Sequence, residues 1–157
     1  MRATWFLQAI VLPGSFLVMM LYWALVVPYK KDPPTTLSYF THGVNFLLQV
    51  TDMYLSNQPY YLLHGLYFFA YDILYLLFTI LYFYSGGTNC DGDPYIYAVL
   101  NWGKPETAGF YATMVLFGAV PVVNLLFFLA ISTCFPGAYR FDDKAALSSN
   151  AVAAAAE

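Results

Sequence analysis

Four long stretches of apolar residues, separated by polar segments, dominate the hydrophobic pattern of the chain. They cover residues 5–27, 39–56, 60–84 and 109–134. A helix of about 20 mostly apolar residues crosses the hydrocarbon core of a bilayer, so each stretch is predicted to be a membrane-spanning helix. The pattern therefore predicts an all-α integral membrane protein, a four-helix bundle in which one long interfacial loop joins the third and fourth helices.

Turn residues and prolines divide the chain further. Asn57 to Pro59 form a tight turn between the second and third stretches, which predicts that these two helices form an antiparallel hairpin. Pro121 lies inside the fourth stretch, where its ring removes a backbone hydrogen bond, so we expect a kink there. The predicted transmembrane domain covers residues 1–140, and an Ala-rich C-terminal tail follows over residues 141–157.

Composition supports the membrane interpretation and adds one unusual feature. Hydrophobic residues make up 61% of the chain and charged residues 10%, with a mean hydropathy of +0.60, whereas soluble domains have about 25% charged residues. The net charge of −3 excludes the basic surface that a nucleic-acid partner requires. The 15 tyrosines are unexpected in lipid-facing helices, because each buried hydroxyl group requires a hydrogen-bond partner.

Polar side chains recur along one face of the second stretch and along one face of the third. In the second they follow at intervals of three, four and three residues, which places them on one helical face. In an antiparallel hairpin the two polar faces meet, and the tyrosines of the third helix supply partners for the polar groups of the second. This predicted polar seam consists of His42, Asn45, Gln49, Asp52, His64, Tyr67, Tyr71, Asp72 and Tyr75.

Three interpretations of the polar seam are open. Polar side chains between membrane helices hold those helices together, at roughly 0.6–2 kcal/mol per hydrogen bond. Ionisable side chains in a membrane also mark functional sites. One functional interpretation is a catalytic site in which His42 is the general base, a hydroxyl group of Thr79 or of a partner chain is the nucleophile, and Asn45 is close enough to orient the base. The third interpretation is a proton or ion path through Asp52 and Asp72.

Other binding chemistry has no signature in the sequence. No cysteine or histidine spacing is typical of a metal site, and no phosphate-binding loop or dinucleotide motif occurs, so neither a metal nor a cofactor is predicted. The expected partners are membrane lipids and other membrane protein subunits. Three basic residues fall on each side of the predicted bundle, so the positive-inside rule gives no orientation. The plasma membrane, the endoplasmic reticulum and an organellar inner membrane are all compatible locations.

Several short motifs, in the long loop and in the two polar helices, carry a family resemblance. They are Thr41-His42-Gly43 with Asn45, Leu63-His64 with Tyr67, Gly86-Gly87-Thr88, Tyr95-Ile96-Tyr97 and Val99-Leu100-Asn101-Trp102. In order and spacing they resemble the rolling stone family of eukaryotic multipass membrane proteins, over about residues 22–108. The chain departs from the family pattern at Ala98, where Pro is usual, and at Asn101, where Asp is usual.

The resemblance implies a membrane protein of a family linked to muscle-cell fusion, with about two more helices upstream of this chain. That family is distantly similar to androgen-induced membrane proteins, which resemble intramembrane fatty-acid-ester hydrolases with a Thr and a His on different helices. By position His42 matches that histidine, while Thr79 is a hydroxyl candidate that the family motif does not supply. The leading prediction is a small polytopic membrane protein, a non-catalytic structural or accessory component and a subunit of a larger complex.

Overall fold

A computed structural model describes residues 3–29, 33–56, 58–89 and 91–134, and within these ranges the chain is helical and without strands. The predicted C-terminal tail and the predicted turn residue Asn57 lie outside the described residues. The all-α class predicted from the sequence is confirmed. The helices of the described part are α1 (Ala3–Val26), α2 (residues 36–56), α3 (Leu62–Tyr84) and α4 (Pro105–Cys134).

Three of these helices, α1, α3 and α4, are long and apolar enough to cross a membrane. Helix α2 forms over the predicted segment but is not among them, since polar residues such as His42 and Asp52 interrupt its apolar surface. The passage of α2 across the bilayer stays a prediction. The molecule is thus a helical membrane protein with three clear spans and a fourth, more polar helix.

Prolines influence the start and the middle of the last helix. Helix α4 begins at Pro105, earlier than the expected residue 109, because a proline fits the first turn, where its missing N–H needs no partner. Further along, a wide π-helical segment, Met114–Ala119, comes just before Pro121. The Pro121 ring cannot donate a helical hydrogen bond to the carbonyl group of Phe117. The irregularity expected at Pro121 takes the form of this π-helical segment.

Helix α1 lies at the centre of the bundle and packs against α2, α3 and α4. Helices α2 and α3 have at most marginal contact with each other, so the directly packed hairpin predicted from the sequence is wrong. Helix α2 ends at Ser56 and α3 begins at Leu62, and a connection of this length passes across the roughly 10 Å width of a helix. Gly14 of α1 lies against the ring of Phe68 on α3, where an added Cβ atom would lie 3.6 Å from the ring, an ordinary van der Waals distance.

Two apolar clusters hold the four helices together. The first cluster joins Leu12, Met53, Tyr60 and Ile131, and the second joins Leu17, Phe68, Val120 and Val123. Phe68 is fully buried, whereas many large apolar side chains on the outside are exposed. An apolar exterior around a small packed interior is what a bilayer requires, because lipid rather than water covers the surface.

Candidate functional site

A groove of about 700 Å³ runs along α1, between α3, α4 and the long loop. Its wall on α1 extends from Phe6 to Val26, which is about 30 Å at 1.5 Å per residue. That length matches the hydrocarbon thickness of a bilayer. Most lining side chains are apolar, and α2 contributes only His42 and Asn45. The groove has the shape and chemistry of a site for an elongated, mostly apolar molecule.

The structure brings together six of the nine predicted seam residues along this groove: His42, Asn45, Tyr67, Tyr71, Asp72 and Tyr75. They line an open groove instead of a closed contact between two helices, because α1 separates α2 from α3. Gln49 and Asp52 lie elsewhere on α2, and in the described part of the chain neither forms a hydrogen bond to a tyrosine of α3. His64 lines a different, much smaller cavity, together with Gln8 and Gln58.

The rings of Tyr22 and His42 join α1 to α2 at one end of the groove. They stack with centroids 3.7 Å apart and an angle of 9° between their planes, and Tyr22 is only 5% exposed. Both residues lie in π-helical segments, Tyr22–Val26 in α1 and Phe40–Val44 in α2. Such segments re-aim side chains within a helix and are frequent at functional sites. Tyr22 was not among the predicted site residues, although the Tyr22-Trp23 pair near the end of the first apolar stretch fits the family resemblance.

The long loop closes the same end of the groove. Tyr97, Val99 and Leu100 line it, and Tyr97 lies within electrostatic range of Tyr22 and Tyr75. Burial, and then the nearby Tyr22 phenol, raise the pKa of Tyr97 above its ordinary value. The predicted interfacial loop therefore contributes directly to the site, and the signal for this was the apolar character of its second half.

Thr79, the predicted hydroxyl nucleophile, has a different role in the structure. Its side chain is 3% exposed. Its hydroxyl group donates to the Leu76 carbonyl over 2.8 Å and accepts from Trp102 Nε1 over 3.1 Å. Thr79 is not among the residues that line the groove with His42 and Asn45. Its contacts fasten the long loop to α3, and the predicted trio of His42, Thr79 and Asn45 is not assembled at the groove.

The two carboxylates of the predicted ion path have unlike surroundings. Asp72 is half-buried in the groove wall, and its Oδ2 atom is covered and has no hydrogen-bond partner among the described residues. Asp52 is exposed on α2 and does not line the groove. Because α1 lies between the helices that carry them, the structure gives the two carboxylates no common path.

His64 belongs to a polar junction between α1, α3 and α4. It is 6% exposed and lines a cavity of about 10 Å³, together with Gln8 and Gln58. Alongside it Tyr60 donates to Asn124 Oδ1 over 2.7 Å, and Asn124 Nδ2 donates to the Leu62 carbonyl over 3.1 Å. Sequence analysis missed Asn124, a polar residue in an apolar helix. The described residues contain no cluster of His, Cys, Asp and Glu that could hold a metal ion.

Long apolar helices around a mostly apolar groove define a polytopic helical membrane protein. The family model for protein rolling stone matches residues 1–145, so the chain belongs to the rolling stone family, and the resemblance inferred from the motifs is confirmed. The chain is 28% identical over 108 residues to protein rolling stone of Drosophila melanogaster. This match covers 68% of the chain and 39% of the fly protein. No solved structure matches the chain.

Proposed function

We propose that the protein is a non-catalytic accessory component of a membrane, whose groove holds a lipid between its helices. The observation that carries the proposal is the groove itself, about 700 Å³ in volume and mostly apolar. A few polar groups interrupt its apolar wall: His42 and Tyr97 lie at one end, and Asp72 lies further along α3. Ligand sites typically combine an apolar wall with a few polar groups that fix orientation. A membrane lipid has the matching division into a long apolar tail and a polar head.

A non-catalytic role is supported by the surroundings of the candidate catalytic residues. A general base acts on a group within hydrogen-bond reach. The Thr79 hydroxyl group already donates a hydrogen bond to a backbone carbonyl group, and Thr79 does not line the groove. One face of the His42 ring is covered by Tyr22. These contacts favour structural roles for both residues over cleavage of an ester.

Membership in a larger complex is supported by the outward surface of α2. Asp52 is exposed there and has no hydrogen-bond partner among the described residues. A carboxyl group facing hydrocarbon is costly and usually finds a partner. A donor on another membrane subunit would satisfy Asp52, and polar contacts of this kind hold membrane helices together.

Purification in a mild detergent followed by native mass spectrometry tests the lipid-holding role. We expect the protein to retain bound lipid. Ala70→Phe, which adds a ring inside the groove, should reduce lipid occupancy. Ala130→Phe adds the same ring on the exposed surface of α4, away from the groove, and should not. Equal lipid occupancy in both variants, or no retained lipid in the wild type, contradicts the proposal.

The same preparation tests the accessory role and the hydrolase alternative. Co-purifying membrane subunits that are lost in Asp52→Leu would support membership in a complex, whereas a chain that purifies alone would contradict it. Hydrolysis of a fatty-acid ester that disappears in His42→Ala would overturn the non-catalytic assignment. Absence of hydrolysis, with lipid still bound, supports it.

A further inference from the structure

We infer that the groove prefers a single-chain amphiphile with an ammonium head, a long-chain amine, and that Asp72 binds this head. The inference rests on the proposed lipid-holding function and specifies its ligand. The geometry that points to it is a carboxyl group in the wall of an intramembrane groove, with tyrosine rings on either side of it along α3.

The carboxyl group of Asp72 has no hydrogen bond to any other described residue, and its Oδ2 atom is covered by protein. An unpaired polar group in an apolar setting costs free energy, and a carboxyl group in a membrane is among the most costly. Asp72 lines the groove, so a donor bound there approaches the carboxyl group from the side opposite the covered Oδ2 atom. Such a donor stabilises the charge of the carboxylate as a whole.

The charged side chains that line the groove favour one class of ligand head group over others. No Lys or Arg occurs among its described lining residues, and Asp72 is the one carboxylate. A fatty acid or a phosphate monoester would place an anion next to Asp72, with no Lys or Arg in the described lining to compensate it. The imidazole of His42, the other ionisable group that could carry positive charge, stacks on Tyr22 at one end of the groove. An ammonium group instead forms a charge-assisted hydrogen bond with the carboxylate, which is about twice as strong as a neutral one.

The tyrosines around Asp72 favour the same head. Tyr71 and Tyr75 both line the groove, and they lie close enough to interact electrostatically. The faces of tyrosine rings attract ammonium groups, and their hydroxyl groups accept hydrogen bonds from them. A carboxylate flanked by aromatic rings is therefore a better match for a cation than for a neutral alcohol.

The position of Asp72 leaves room for one tail. Helices α1 and α3 run in the same direction, and Phe68 packs at the level of Gly14. On the α3 side the groove lining continues from Asp72 back to Tyr67, and on the α1 side it continues back to Phe6, so apolar wall extends beyond Asp72. The ring contact between Phe6 and Tyr67, with centroids 5.0 Å apart, marks the far end.

Three probes with the same tail test the inference: dodecylamine, dodecan-1-ol and dodecanoate. Their binding to the purified protein in nanodiscs is measured by native mass spectrometry and by competition against a fluorescent lipid. We expect dodecylamine to bind about tenfold more tightly than the other two, the difference typical of one charge-assisted hydrogen bond. In Asp72→Asn this preference should disappear, while dodecan-1-ol still binds and shows that the groove is intact.

Glu106→Gln is the matched control, since Glu106 is an exposed acid in the first turn of α4 and lies outside the groove lining. It should keep the full preference for the amine. Equal binding of all three probes to the wild type overturns the ammonium preference and leaves the lipid-holding role standing. Preference retained in Asp72→Asn overturns the assignment to Asp72. If no probe binds and no lipid co-purifies, both the inference and the proposed function fail.

Discussion

The indole Nε1 atom of Trp102 donates a hydrogen bond to Thr79 Oγ1 over 3.1 Å and so links the long loop to α3. Trp102 comes just after the loop segment that closes the groove, and Thr79 is buried in the helix that forms its wall. The bond couples the position of Tyr97 and Leu100 to the helix that carries Asp72. The order of the groove entrance thus depends on a pair of residues outside the groove lining.

Thr79→Val should loosen the long loop, because it leaves the Trp102 indole without its acceptor. We expect a loss of about 1 kcal/mol of stability, the typical contribution of one hydrogen bond. The loss is measured as a lower midpoint of thermal unfolding in detergent. Thr113→Val, at an exposed position on α4, is the control and should be nearly neutral. An unchanged midpoint in Thr79→Val would show that the bond does not hold the loop.

The stack between Tyr22 and His42 should appear as an energetic coupling. Aromatic pairs contribute about 0.5–1.5 kcal/mol beyond burial of their area. A double-mutant cycle with Tyr22→Leu and His42→Leu is expected to give a coupling energy in that range. Additive effects of the two substitutions on the unfolding midpoint would contradict a direct contact between α1 and α2 at this place.

Gly65→Ala should strongly destabilise the bundle. A Cβ atom at position 65 would collide with the side-chain amide of Asn124, which is held by Tyr60 and the Leu62 carbonyl. Overpacking of this kind costs about 1–3 kcal/mol. Gly109→Ala is the matched control: it meets open space and should be neutral or stabilising by about 0.5–1 kcal/mol through helix propensity. Equal unfolding midpoints for the two variants would contradict the described junction.

The stability of the loop should decrease at alkaline pH through Tyr97. Its pKa is raised in the folded protein, by burial first and by Tyr22 second. The unfolded chain therefore loses this proton at a lower pH than the folded one. The stabilising contribution is complete below the ordinary tyrosine pKa and is lost as the pH rises above it.

Unfolding midpoints between about pH 8 and pH 11 measure this effect. We expect a flatter decline in Tyr97→Phe than in the wild type. Tyr84→Phe, at an exposed position, should follow the wild type. Identical curves for all three proteins would rule out a contribution from Tyr97.

Much of the helical architecture could be predicted from hydrophobic runs, since their length and period are local properties. The stretch before Pro28 and the stretch after Pro59 became α1 and α3 within a few residues. The start of α4 was placed too late, because apolar content alone underestimates a first turn that begins at Pro105 and includes Glu106. Helix ends depend on such single residues, which carry little hydrophobic signal.

The candidate site could be predicted only in part. Periodicity predicted that Tyr71, Asp72 and Tyr75 lie near one face of one helix, and all three line the groove. It could not show that they face an open groove, nor that Thr79, one turn beyond Tyr75, points away from it to Trp102. Tyr22 and Tyr97 are far from Asp72 in sequence, and only the fold brings them to the same end of the groove.

The sequence by itself determined that this is a helical membrane protein of the rolling stone family. The length of the apolar stretches, the low content of charged residues and the order of the motifs are all properties of the sequence. Only the tertiary structure decided that α1 separates α2 from α3. As a result, most of the predicted seam residues line an open groove instead of a direct contact between these two helices. The physical reason is that helix order depends on contacts between distant surfaces. Phe68 of α3 packs against Gly14 of α1, and no local pattern in the sequence shows which helix will meet that surface.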